Sequence, residues 1–171
     1  MKSFKTAIVL QSFIFFIPIT IYVIGDWVGA GIQWALFRYL ETERGHFFIN
    51  ILSEVSFILN GTIYFPRTVY SILFWATGAV LLVLALFTLT LAYVWEDTTL
   101  LKIGAFLDIG SGISLLLALL LQYGITLRGL SGFVIPIGLP ILFIIAYWLY
   151  RESGLTEEDD TVSEKDPETG N

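Results

Sequence analysis

The chain has 171 residues, 56% of them hydrophobic and 14% charged, with no cysteine and a formal net charge of −6. Ordinary globular chains carry about 25% charged residues, so the composition points away from a water-soluble domain. The lack of cysteine excludes disulfides, thiolate metal sites, cysteine nucleophiles and palmitoylation.

The acidity is local. Residues 152–171 hold eight acids and one base, whereas residues 1–151 hold eight bases and seven acids, so there is no broad field of the kind that binds nucleic acid. Four stretches carry no formal charge: residues 6–25, 68–95, 109–127 and 129–150. The second is 28 residues long. As a helix it would extend about 42 Å, against a hydrocarbon core of ~30 Å. These runs predict an all-α integral membrane protein, a bundle of about four transmembrane helices in a multi-pass domain over 1–150. A membrane-hugging helical segment is expected between the first two helices.

In chain order, a short basic leader with Lys2 and Lys5 precedes a span at about 7–24 and argues for a cytoplasmic N-terminus. Pro18 falls in this span and should kink it. Val28, Gly29 and Ala30 would suit a signal-peptide cleavage site, but the apolar run is too long for one and Asp26 and Trp27 intervene.

The external segment 26–66 scans as two short amphipathic helices. In the first, Ile32, Ala35, Leu36, Tyr39 and Leu40 share a face. In the second, over 45–65, His46, Asn50, Ser53, Glu54, Asn60 and Gly61 form a polar stripe. That second stretch is also long enough to cross the membrane, which would make five spans and export the C-terminal tail.

Further spans are expected at about 69–95, 103–123 and 133–150. Aromatic residues mark the interfaces: Tyr22, Trp27, Tyr70, Trp75 and Tyr123 outside, and Tyr93, Trp95, Tyr147, Trp148 and Tyr150 inside. Pro136 and Pro140 should bend the last span. Residues 151–171 read as an acidic, disordered cytoplasmic tail, either merely solvated or able to hold a basic partner.

Five residues are candidates for chemistry. Asp108 sits in a span on one helical face with Gly104, Ser111 and Gly112. Asp108 and Ser111 therefore form a candidate intramembrane polar site, either a proton or cation site or a structural contact to a base such as Lys102 or Arg151. His46, the only histidine, and Glu54 form a candidate external polar site, though no second histidine and no nucleophile–base spacing accompany them. Asn60, Gly61 and Thr62 match the N-glycosylation pattern.

No metal and no cofactor is indicated. The expected partners are the lipid bilayer and other membrane proteins or a second copy of the chain, not nucleic acid. Three functions follow. The leading one is a non-enzymatic accessory or interaction component of the cell membrane, with both termini cytoplasmic. The second is a small oligomeric transporter or channel using Asp108. The third is a membrane enzyme acting near the outer face through His46 and Glu54.

Overall fold

The computed structural model describes residues 2–25, 29–129 and 132–164, with the backbone alone at 2, 3 and 155–164. Asp26, Trp27 and Val28, and the tail residues 165–171, lie outside the described residues. The elements run α1 (Lys2–Ile14), β1 (Thr20–Ile24), β2 (Gly29–Gln33), β3 (Phe37–Thr42), β4 (Gly45–Asn50), α2 (Ile51–Leu59), α3 (Pro66–Trp95), α4 (Thr98–Tyr123), β5 (Arg128–Gly129), β6 (Gly132–Ile135) and α5 (Gly138–Glu164). The strands form one antiparallel sheet in the order β4-β3-β2-β1-β6-β5.

This sheet overturns the expected all-α bundle of about four spans. Among the described residues, two helices, α3 and α4, are long and apolar enough to cross a membrane. The run expected as the first span is only half helical. Helix α1 ends at Ile14, and beyond Pro18 the chain is extended as β1. Proline fixes φ, lacks an N–H and drives the preceding residue out of the helical region, so Pro18 ends the helix rather than bending it.

The segment between the first two expected spans is likewise mostly strand, not paired amphipathic helices. Glycines at 29 and 31 disfavour a helix by about 1 kcal/mol each. The stretch pairs instead with β1 and β3. The five-span alternative fails on the same ground: residues 45–50 are strand, and α2 has only nine residues.

The last apolar run opens as β6, and its prolines bend no span. Pro136 lies between β6 and α5, and Pro140 falls in the first turn of α5, where a missing N–H is harmless. Helix α5 then continues through Glu164, into the stretch expected to be a disordered tail.

Helices α3 and α4 form an antiparallel hairpin. Pro66 starts α3, Glu96 ends it in the left-handed conformation, and Asp97 caps α4 by accepting from Thr99 N–H at 2.7 Å. The buried positions of α3 include Ser71, Trp75, Gly78, Leu82, Ala85 and Leu89, and those of α4 include Leu101, Ala105, Asp108, Gly112, Leu115 and Leu119. Both series alternate steps of three and four, the spacing of a coiled-coil seam. Small residues let the helices close in: a Cβ on Gly78 would meet Leu115 at 2.7 Å, and one on Gly104 would meet Leu89 at 2.8 Å. Large apolar side chains point the other way. Phe87, Phe106 and Ile144 are 61%, 58% and 66% exposed.

All six strands gather at one end of the helices, where α1 and α4 finish and α3 and α5 begin. At the other end Lys5 lies over the Tyr93 ring, 5.9 Å from its centroid, and Phe106 meets Tyr150 edge-on at 5.8 Å. The sheet lies against the helix ends through Tyr22, which is buried with Val134, Trp75 and Tyr123 in the core. Gly31 makes room for that ring: a Cβ there would sit 2.3 Å from Tyr22 Cζ.

Candidate functional site

The antiparallel register sorts the sheet's side chains onto two faces. Gln33 and Arg38 are direct partners across β2 and β3 and share the face of Tyr22 and Gly31. Helix α2 brings Glu54 under that face, started by Asn50, whose side chain accepts from Ser53 N–H at 2.8 Å. Arg38 forms an ion pair and hydrogen bond with Glu54. The Arg38 guanidinium also lies 5.9 Å from the Trp75 ring centroid of α3, a cation–π contact.

These groups border a cavity of about 100 Å³ between sheet, α2, α3 and α4, closed on the helix side by Ser71, Ala118 and Leu119. Glu54 is 1% exposed. Burial raises its carboxyl above the ordinary value, and the charge and hydrogen bond of Arg38 pull it back. Glu54 Oε2, Arg38 Nε and Trp75 Nε1 make no hydrogen bond among the described residues.

His46 belongs to the opposite face of the sheet. It is the direct partner of Glu41 across β3 and β4, and its Nδ1 lies 2.8 Å from Tyr39 Oη and 4.0 Å from Glu41 Oε2. His46 and Glu41 are exposed and Tyr39 is half-buried. The structure therefore does not bring His46 and Glu54 together, and no group of three or more His, Asp or Glu side chains able to hold a metal exists among the described residues. Asn60 ends α2, is exposed, and donates to Ser56 Oγ at 3.2 Å.

Asp108 lies inside the helical layer. It is fully buried, and its Oδ1 accepts from Gln11 Nε2 of α1 at 2.6 Å. The expected contacts were to a base, Lys102 or Arg151; the hydrogen bond goes to an amide instead. Gln11 Oε1 and Asp108 Oδ2 have no partner among the described residues. Ser111 is also fully buried, and its hydroxyl donates across the hairpin to Gly78 O at 2.8 Å. Ser114 and Ser71 make the same kind of bond, to Phe74 O and Ala118 O, each at 2.8 Å. Such hydroxyl-to-carbonyl bonds hold helices together where water is scarce.

Sequence reasoning missed Arg38, Trp75 and Gln11 as site residues. Arg38 falls in a stretch expected to be an amphipathic helix, and Gln11 is a single amide in an apolar run. The one available signal was that a lone polar group in such a run needs a partner. Compared with known proteins, the chain matches no family model and no curated protein.

Proposed function

We propose that the chain is a multi-pass protein of the cell membrane and serves as a non-enzymatic accessory or interaction component. The α3–α4 hairpin crosses the bilayer, α1 and the apolar half of α5 pack beside it, and the sheet forms a cap on the outer side. The observation that supports this reading is the apolar outward face of the hairpin. Asp108 and Ser111 are fully buried among the leucines and small residues of the seam, whereas Phe87, Phe106 and other large apolar side chains cover the outward face. In water a continuous exposed apolar face is disfavoured, and in lipid it costs nothing.

Helix α1 starts at, and α5 runs toward, the helix end that lacks the sheet. Lys5, Lys102 and Arg151 belong to that end, which supports placing it in the cytoplasm. An interaction role suits the outer cap, whose exposed Phe47 and Phe48 belong to the edge strand β4. Purification from native membranes in mild detergent tests the reading. A stoichiometric protein partner is expected. A homo-oligomer whose ion flux in liposomes disappears with Asp108→Asn would replace this function with transport.

A further inference from the structure

We propose that Asp108 holds a proton and closes a two-bond ring with Gln11, an uncharged latch that ties α1 to the α3–α4 hairpin and opens when the proton is lost. Helix α1 packs through one face, made of Phe4, Ala7, Gln11 and Ile14, all buried. Their spacing of three and four residues makes a single stripe, and Gln11 is its one polar member. The Gln11 Nε2 donates to Asp108 Oδ1 at 2.6 Å. The second prong of each group, Gln11 Oε1 and Asp108 Oδ2, is buried and has no partner among the described residues.

An ionised aspartate accepts only, so both leftover atoms would then be acceptors with nothing to accept. A protonated one turns Oδ2 into the donor that Gln11 Oε1 needs. One proton thus satisfies both atoms. Neither atom has surface open to a water-sized sphere, and both residues are 0% exposed. A water molecule or a metal ion therefore does not reach them unless the helices part. No counter-charge faces the carboxyl either: α3 carries none from Thr68 to Trp95, α5 none from Gly138 to Tyr150, and α1 none after Lys5. Lys102, on the same helix, is six residues away, about 9 Å along the axis. Of the tyrosines in these stretches, Tyr93 lies under Lys5, Tyr150 meets Phe106, and Tyr70 and Tyr147 are exposed. A buried carboxylate without a cation is costly, whereas a neutral acid paired with an amide is not. The latch does not depend on the reading of the chain as an accessory component, because it rests on helix packing alone.

Infrared spectroscopy of the full chain in detergent micelles, with an isotope label on the side-chain carboxyl carbon of aspartate, tests the proposal. At neutral pH the wild type should show the C=O band of a protonated carboxyl, and Asp108→Asn should lack it. Gln11→Leu should move the band to higher frequency, because the O–H loses its acceptor. Raising the pH should remove the band. Over the same range a thiol introduced by Ala7→Cys on the packed face of α1 should label several-fold faster, measured against a free thiol. Asp108→Asn keeps both bonds and has no proton to lose, so in that background labelling should stay slow. The proposal is overturned if the wild type shows no such band at neutral pH, so that the carboxyl is ionised, or if Gln11→Leu leaves the band unmoved. Labelling that rises equally with pH in Asp108→Asn would do the same. Should Gln11→Leu fail to fold, the wild-type band and the Ala7→Cys comparison decide.

Discussion

Two buried carboxyls, Glu54 and Asp108, are held by different partners, and substitution separates their roles. For Glu54, burial raises the carboxyl above its ordinary value of 4.5 while Arg38 opposes the rise. A carboxyl raised in the folded state takes up protons on folding. Its favourable contribution is therefore complete below the ordinary value and is lost as pH rises through the folded one. Unfolding midpoints should therefore decline as pH rises above the ordinary value of 4.5, and Glu54→Gln should flatten that dependence. An unchanged slope in the variant would show that other groups carry it. Removing the cation, by Arg38→Leu, leaves Glu54 buried without its counter-charge. The expected cost is about 3 kcal/mol, the low end for a buried pair, because Arg38 is 30% exposed. For Asp108 the partner is neutral. Asp108→Asn still offers an oxygen to Gln11 Nε2 and adds a donor for Gln11 Oε1, so stability should stay within about 0.5 kcal/mol of wild type or rise. Asp108→Leu and Gln11→Leu each strand a buried amide or carboxyl and should cost about 1–3 kcal/mol. The double variant should cost less than the sum, which chemical unfolding of the four proteins measures.

At the scale of elements, the sheet depends on close approach and the hairpin on its seam. Gly31→Ala places a Cβ 2.3 Å from Tyr22 Cζ and 2.6 Å from Tyr39 O. That overlap should lower stability by about 1–3 kcal/mol and loosen the cavity, since Tyr22 and Arg38 belong to the same face. Thermal unfolding and hydrogen exchange of β1–β3 would register it, and full protection in the variant would contradict it. Ser111→Ala removes a single interhelical bond and should cost only about 0.6 kcal/mol, the usual worth of such bonds in membrane helices. The two long helices α3 and α4 were legible in the sequence because charge-free apolar length acts locally. The strands were misread for a physical reason. Over 29–50 the apolar residues fit a helical stripe about as well as an alternating one, and the deciding energy comes from pairing partners outside the window.

For the whole molecule, the proposed orientation puts the β3–β4 turn outside and the α3–α4 turn inside. The absence of cysteine makes this directly testable. Single cysteines at Arg44 and Glu96 should be labelled by a membrane-impermeant maleimide from outside and only after permeabilisation, respectively; the opposite pattern inverts the protein. The sequence by itself determined the two long apolar helices, their approximate limits, the helical face that Asp108 shares with small residues and the acidic C-terminal stretch. Helices satisfy their backbone hydrogen bonds within a few residues, so length and composition suffice for them. Only the tertiary structure decided the sheet, the pairing of β1 with β6 across the whole hairpin, and the partners of both buried carboxyls. Strands must find their hydrogen bonds on other strands, and Gln11 reaches Asp108 across 97 residues of chain. No local pattern encodes which distant group will meet them.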